Sequence, residues 1–255
     1  MSERSGRPGT PPAMIAVADV QRASQWYQQD QWQIVTDVHI NPPVIWHLPC
    51  STPHDPWQNV IMIAGLLLAA GAGRRYGMPK ALVDGGAWLR RTVTTLRDGG
   101  CDPVLVVVGA QADQVIPLVP DTAATVLAVD WAEGMGASLR AGLAELIRSA
   151  PPPVQAALVH LVDLPDVDAS VVRRLVALAK PTVVARAGFE SQPGHPVLLG
   201  RQHWAAIVAS AQGDRGARDW LAQRSDLTVV DCSDLASGID VDRPHPSPPS
   251  ASGQH

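Results

Sequence analysis

The feature that most constrains the fold is an apolar run over residues 61–70 that leads directly into a glycine-rich, basic stretch over residues 71–80. The run is too short to cross a lipid bilayer, and its unbroken apolar character is typical of a parallel strand buried on both faces. Loops that follow such strands hold ligands. Here glycines expose backbone N–H groups and basic side chains add positive charge, so the loop suits an anion such as a triphosphate. The residues concerned are Gly71, Gly73, Arg74, Arg75, Gly77 and Lys80.

Two other phosphate-binding loops do not fit this stretch. The P-loop needs Gly-Lys followed by Ser or Thr, whereas Lys80 follows a proline and precedes Ala81, so no hydroxyl is placed to hold magnesium. The dinucleotide fingerprint needs a third glycine three residues after the second, whereas Gly77 comes four residues after Gly73. An ordinary glycine-rich turn between a strand and a helix is the remaining alternative.

The overall charge and the cysteines narrow the class of protein. A net charge of -4 argues against nucleic acid or an anionic membrane as partner, so a nucleotide has to be held by a local positive cluster. Cys50, Cys101 and Cys232 lie far apart, and their odd number argues against a disulfide framework. The opening residues lack the basic and apolar regions of a signal peptide. We therefore expect a reducing, cytoplasmic setting.

Composition divides the chain into three parts. Residues 1–60 hold four of the eight tryptophans among glutamines and prolines, which indicates an N-terminal extension of low order or loose docking without a catalytic role. Over residues 61–242, strand-like and helix-like segments alternate. This alternation predicts an α/β fold with a Rossmann-like, mostly parallel sheet and helices on both faces. Residues 243–255, rich in proline and serine, are expected to form a disordered tail.

A carboxylate at the end of a second apolar strand is the next candidate for chemistry. The run over residues 154–162 leads straight into Asp163, which is followed by Leu and Pro. Asp163 should therefore lie at the edge of the sheet where the glycine-rich loop also opens. Oxygen ligands at such a place suit Mg²⁺, which takes one or two carboxylates and completes its shell with phosphates and water. The alternative role is a helix cap, for which Asp166 and Asp168 are better placed.

The glycine-rich stretch resembles the signature of nucleotidyltransferases with an NTP-transferase fold, Leu-Ala-Ala-Gly-x-Gly/Ser-x-Arg-Met-Gly-x-x-Lys. Tyr76 replaces the usual Met. The resemblance implies that this loop binds a nucleoside triphosphate, that Arg75 and Lys80 also act in catalysis, and that Asp163 is a catalytic metal ligand. The matching residues are Leu68, Ala69, Ala70, Gly71, Gly73, Arg75, Gly77 and Lys80.

A second metal ligand of this family comes late in the chain, in Ile-Asp-Thr-Pro-Glu-Asp. The corresponding segment here reads Gly-Ile-Asp-Val-Asp-Arg-Pro over residues 238–244. Asp240 matches the metal-binding position, whereas Val241 and Asp242 depart from the Thr-Pro that follows it. The resemblance therefore implies Mg²⁺ on Asp163 and Asp240, with Asp242 as the alternative to Asp240.

Three further segments resemble the molybdenum cofactor cytidylyltransferases. They are the stretch over residues 131–142, the Gly-His-Pro motif at 194–196 and the Gly-Asp-Arg-Gly-Ala-Arg motif at 213–218. The resemblance implies that Gly134 and Ser138 contact the nucleotide and that His195, Asp214 and Arg218 bind the acceptor. Each also has a structural alternative: a turn histidine, a capping aspartate, or a salt-bridged arginine in the first turn of a helix. Arg140 is either part of the pocket or a solvated residue on the helix surface.

The resemblance implies transfer of CMP from CTP onto the molybdopterin-bound molybdenum cofactor with release of pyrophosphate. The partners would be the nucleoside triphosphate, a phosphorylated small-molecule acceptor and a molybdenum hydroxylase that receives the product. Two alternatives remain. One is an enzyme that uses GTP, or a different phosphorylated acceptor such as a sugar 1-phosphate. The other is an accessory protein that binds a nucleotide or cofactor without chemistry.

Overall fold

The computed structural model of the protein describes residues 38–39 and 61–243. The expectations for the remainder of the N-terminal extension, for residues 244–255 of the tail, and for Cys50 lie outside the described residues. Within the described part, no helix is both long and apolar enough to span a membrane.

The described residues form one eight-stranded sheet with the strand order β1-β4-β3-β2-β5-β7-β6-β8. The four central strands, β4, β3, β2 and β5, pair in parallel, whereas β7 runs antiparallel to both of its neighbours. The strands are β1 (Val38–His39), β2 (Met62–Leu68), β3 (Val104–Val108), β4 (Ala124–Ala128), β5 (Val154–Leu161), β6 (Val184–Phe189), β7 (Gln192–Gly200) and β8 (Thr228–Asp231).

Helices cover both faces of the sheet, as the alternating pattern predicts. They are α1 (Ala87–Asp98), α2 (Ala112–Val115), α3 (Met135–Ser149), α4 (Ala169–Val176), α5 (Trp204–Ser210) and α6 (Arg218–Ala222). Apolar residues of α1 and α4 pack on one face, and those of α3, α5 and α6 pack on the other. Neighbouring residues of β2, Leu66 and Leu67, therefore point into different cores, and both are fully buried. This explains why the strand reads as an unbroken apolar run.

The mostly parallel α/β sheet is thus confirmed, with antiparallel pairing of the short β1 with β4 and at the hairpin of β6 and β7. The two strands are joined by Glu190 and Ser191, which have φ angles of 48° and 67°. Positive φ at both central residues is the geometry of a two-residue hairpin turn whose twist matches that of the strands. The hairpin forms the half of the sheet that lies beyond β5.

Candidate active site

The glycine-rich loop after β2 closes on itself through one glycine. The backbone N–H groups of Tyr76 and Gly77 both donate to the carbonyl oxygen of Gly73, at 2.9 and 2.8 Å. Gly73 has a φ of 60°, and a Cβ there would lie 1.8 Å from the carbonyl oxygen of Met78. Only glycine fits this position without a shift of the backbone. The tight turn brings the chain back towards the sheet and places Lys80 at the start of a short 3-10 helix, Lys80–Gly86.

Lys80 joins this loop to the carboxylates at the opposite side of the site. Its Nζ lies 2.6 Å from Asp163 Oδ2 and 3.1 Å from Asp242 Oδ1, and Arg75 Nη1 lies 3.0 Å from Asp242 Oδ2. The side chains of Lys80 and Asp163 are only 13% and 16% exposed. Burial by itself opposes the charged form of Lys80, but its hydrogen bonds and its attraction to Asp163 and Asp242 prevail and raise its pKa above the usual value. Lys80 is therefore a fixed positive charge at neutral pH.

Three carboxylates meet at this point, and their arrangement fits a divalent cation. Ligand atoms of Asp163, Asp240 and Asp242 all lie within 4.8 Å of one another. Asp242 is held by both basic side chains, and its hydrogen bonds from Lys80 and then from Arg75 lower its pKa. The three carboxylates carry one more charge than the two basic side chains, Lys80 and Arg75, so a cation would compensate the excess negative charge. Carboxylate oxygens are the preferred ligands of hard divalent ions.

The late segment that carries Asp240 and Asp242 is held against the end of β5 by backbone contacts. The N–H of Val241 donates to the carbonyl oxygen of Asp163 at 3.0 Å. Asp166 accepts from the N–H groups of Ser237 and Gly238, at 2.6 and 3.3 Å. Of the two aspartates expected to suit a helix cap, Asp168 caps α4 through the N–H of Ser170 at 2.8 Å, whereas Asp166 anchors this segment.

A cavity of about 520 Å³ opens between the glycine-rich loop and the start of α3. Every residue that the sequence predicts for nucleotide binding lines it, as do Asp163 and Asp242. Asp240 belongs to the carboxylate cluster but is not part of the cavity wall. The residues predicted for nucleotide binding are Leu68, Ala69, Ala70, Gly71, Gly73, Arg75, Lys80, Gly134 and Ser138.

The loop before α3 is held in place by Arg140, which settles the role that the sequence leaves open for this residue. Its guanidinium contacts Asp130 at 2.5 Å and Glu133 at 2.7 Å, and it donates to the carbonyl oxygen of Ala211 at 2.8 Å. Arg140 is therefore a structural residue that ties together two loops of the site. Trp131, in the loop that it holds, forms part of the cavity wall.

A second, smaller pocket of about 100 Å³ adjoins the first. His195, Asp214 and Arg218, the residues predicted to bind the acceptor, all line it. The two pockets share Leu68, Met135 and Asp214 as walls. The structure thus brings these three residues together next to the cavity of the glycine-rich loop.

Sequence reasoning missed Arg186 of β6, which also lines this second pocket. It is a lone arginine between apolar residues of a strand, with no motif around it. Its Nε and Nη2 donate to the carbonyl oxygen of Gly194, at 3.2 and 3.0 Å. The pairing of β6 with β7 brings it beside the Gly-His-Pro motif, and such pairing across a hairpin is the only signal that could have found it.

Comparison with known proteins identifies the family. The MobA-like NTP transferase domain family matches residues 65–228. Nicotine blue oxidoreductase of Paenarthrobacter nicotinovorans is 35% identical over 192 residues, which cover 71% of this chain and 92% of that protein.

Two solved structures from mycobacteria are similar over almost their whole length. Rv0371c from Mycobacterium tuberculosis is 25% identical with a TM-score of 0.60, covering 72% of this chain and 94% of that chain. Its homologue from Mycobacterium sp. strain JC1 is 28% identical with a TM-score of 0.61, covering 71% and 90%. Rv0371c has also been solved in complex with manganese. The match to more than half of the chain and the 35% identity show that this protein belongs to the MobA-like NTP transferase domain family.

Proposed function

We propose that this protein is a nucleotidyltransferase that moves CMP from CTP onto the phosphate of molybdopterin-bound molybdenum cofactor and releases pyrophosphate. The observation that carries the proposal is the contact of Lys80, from the glycine-rich loop, with Asp163 at the end of β5, on the wall of the larger cavity. This contact supports the proposal because it joins a basic residue suited to phosphate and a carboxylate suited to a metal ion. Family membership supports the reaction class, and the resemblance of residues 131–142, 194–196 and 213–218 to cytidylyltransferases supports CTP and the acceptor.

The residues of the larger cavity supply what the reaction needs. An oxygen of the acceptor phosphate attacks the α-phosphorus of CTP, forming a new diphosphate bond as the bond to the β-phosphate breaks. A phosphate monoester is largely dianionic at neutral pH, so its oxygen attacks without a general base. The loop N–H groups, Arg75 and Lys80 hold the β- and γ-phosphates and stabilise the charge on the departing pyrophosphate.

We propose that Asp163 and Asp240 hold Mg²⁺. When bound, the ion would neutralise and orient the phosphates of the donor. Asp240 is exposed and forms no salt bridge among the described residues, whereas Asp242 is engaged by Lys80 and Arg75. Asp242 therefore positions the two basic side chains, and Asp240 is the better second ligand.

The smaller pocket would receive the acceptor through His195, Asp214 and Arg218. All residues of this mechanism lie within 61–242, which we propose as the catalytic domain, with residues 1–60 taking no part in the reaction.

The product would pass to a molybdenum hydroxylase. Cys101 and Cys232 are free thiols, which supports the proposed cytoplasmic setting.

The reaction is tested by measuring transfer of labelled CMP from CTP, beside GMP from GTP, onto molybdenum-loaded molybdopterin. We expect Mg²⁺-dependent transfer from CTP alone. Lys80→Ala and Asp163→Ala should each reduce turnover by at least about 100-fold, because the first removes a positive charge that stabilises the transferring phosphates and the second removes a carboxylate that we propose holds Mg²⁺. Both side chains lie on the cavity wall rather than in the apolar core, so both variants should keep the wild-type circular dichroism spectrum, although loss of one partner of this largely buried pair should lower the melting temperature.

Other outcomes of that assay select among the alternatives. Transfer from GTP alone would show that the donor is GTP and not CTP. Tight nucleotide binding without transfer from either nucleotide would favour a different phosphorylated acceptor or an accessory binding role. Near-wild-type turnover in purified Lys80→Ala would contradict the proposed mechanism itself.

Substitution of Asp240 and of Asp242 should have different effects, the first on metal binding and the second on nucleotide binding. We expect Asp240→Asn to weaken Mn²⁺ binding, followed by electron paramagnetic resonance, by on the order of tenfold or more. Asp242→Asn should mainly weaken CTP binding, because it releases Arg75 and Lys80. Asp234→Asn is the control, because that carboxylate pairs with Arg174 away from the site. Unchanged Mn²⁺ binding in Asp240→Asn, with loss in Asp242→Asn, would reassign the second ligand to Asp242.

Two neighbouring glycines offer a matched test of the glycine-rich loop. A Cβ at Gly71 would meet no protein atom within 4 Å, whereas a Cβ at Gly73 would strike the backbone of Met78. Gly71→Ala should therefore keep the wild-type melting temperature but raise the Kd for CTP by about tenfold, since the methyl group occupies space on the cavity wall. Gly73→Ala should lower both the melting temperature and the affinity. Calorimetric titration and thermal unfolding measure these effects, and unchanged CTP binding by Gly71→Ala would show that nucleotide does not contact this backbone.

A second candidate function comes from the relative that is 35% identical over 92% of its length, whose name describes an oxidoreductase of nicotine blue. In that case the protein would transfer a hydride from a donor such as a reduced pyridine dinucleotide to nicotine blue, with a proton from water. Incubation with NADH or NADPH and nicotine blue should leave the dinucleotide absorbance unchanged if the transferase proposal is right. Oxidation of the dinucleotide, without any CMP transfer, would favour the oxidoreductase function over the transferase proposal.

A further inference from the structure

The smaller pocket carries more positive charge than its predicted residues account for. Arg186, Arg215 and Arg218 all line it, against the single carboxylate of Asp214. Arg215 is paired with Asp219 at 3.2 Å. In contrast, Arg186 and Arg218 form no salt bridge with any residue that the structure describes. Two guanidinium groups without a carboxylate partner therefore face one small cavity.

Arg186 is the better fixed of these two arginines. It is half-buried, and two of its five N–H groups donate to the carbonyl oxygen of Gly194. This fork holds the guanidinium plane, while its other N–H groups have no partner within the described part of the chain. Burial, together with the charge of Arg218, lowers the pKa of Arg186. A buried charge of this kind is costly unless something pairs with it.

His195 brings an imidazole ring to the wall of this pocket but no charge. Burial and then the charges of Arg186 and Arg218 lower its pKa to about 4, so the ring is neutral at pH 7. The rest of the wall includes aliphatic side chains of β5, β7 and α3, such as Val159, Val197 and Leu139. At about 100 Å³ the pocket has room for a group of only a few heavy atoms, given the roughly 30 Å³ that one water occupies in the liquid.

The pocket adjoins the larger cavity, but two of its wall residues, Arg186 and His195, belong to the part of the sheet beyond β5. The glycine-rich loop follows β2, and the loop that carries Trp131 follows β4, whereas Arg186 and His195 lie on β6 and β7 beyond β5. Gly134 and the loop at Asp214 are in close contact where the two pockets meet, since a Cβ at Gly134 would lie 2.4 Å from Asp214 Oδ1. The carboxylate of Asp214 at this junction would repel an anion towards the two arginines.

We propose that this pocket is a second anion site, which binds a phosphate or carboxylate group other than the phosphates of the nucleotide, and that Arg186 determines its specificity together with Arg218. The anion site does not depend on the proposed function. A planar guanidinium fork suits two oxygens of one carboxylate or phosphate. Ligands without such a group would bind less well.

Inorganic phosphate is the probe for this site, titrated calorimetrically into the full-length protein with saturating CTP and Mg²⁺. The nucleotide then covers Arg75 and Lys80, and without an acceptor no reaction follows. We expect wild-type protein to bind phosphate beside CTP, and Arg186→Met and Arg218→Met each to weaken that binding by about tenfold. Their affinity for CTP should not change. Arg224→Met is the matched control, because it removes an arginine that pairs with Asp226 outside this pocket.

Folding of the variants is checked by thermal unfolding. Arg218 is exposed, so its variant tests the proposal even if loss of the half-buried Arg186 destabilises the hairpin. Arg186→Lys, which keeps the charge but not the fork, should bind phosphate with intermediate affinity. Wild-type phosphate affinity in both methionine variants would overturn the proposal. So would a failure of phosphate to bind when CTP is present, since the pocket would then belong to the nucleotide.

Failure of the transferase proposal can be distinguished from failure of the anion-site proposal. If CTP does not bind at all, the transferase proposal is wrong, and the same phosphate titration is then run without nucleotide. A tenfold loss in Arg186→Met relative to Arg224→Met in that titration would still support the anion site.

Discussion

The site depends on one charged contact, the Lys80 ammonium held 2.6 Å from the Asp163 carboxylate. The two residues come from loops that follow neighbouring parallel strands, β2 and β5. Because parallel strands end at the same edge of a sheet, a basic loop after one and a carboxylate after the next are forced together. The pair is largely buried and also touches Asp242, so breaking it would leave charges without partners.

The carboxylate cluster is completed by a segment that belongs to no strand or helix. Residues 237–242 are held by hydrogen bonds to Asp166 and to the backbone of Asp163, so the end of β5 organises both the first ligand and the segment that brings the others. This explains why Val241 and Asp242 can replace the usual Thr-Pro after Asp240 without losing the cluster. Backbone contacts set the path of the segment, and the side chains at 240 and 242 both reach Asp163.

The central strands and the nucleotide side of the site could be predicted because their signals are local. An unbroken apolar run gives β2, and the loop that follows it carries its chemistry within residues 71–80. The hairpin of β6 and β7 could not be predicted, because Glu190 and Ser191 are not residues whose type demands positive φ. Arg186 was missed for the same reason. Its role depends on which strand lies beside β6, and that pairing follows from the turn rather than from the sequence around the arginine.

In the proposed function, the residues that hold the donor and several of those that hold the acceptor would therefore lie on different parts of the sheet. The parallel half, β4-β3-β2-β5, carries the glycine-rich loop, the Trp131 loop and Asp163, all at one edge. The hairpin half carries Arg186 and His195 and is tied to the rest through the pairing of β5 with β7. Substitutions on the hairpin can alter the small pocket while the contact of Lys80 with Asp163 stays intact. This separation would let a phosphate-binding loop of this kind serve different second substrates, because the second pocket can change by itself.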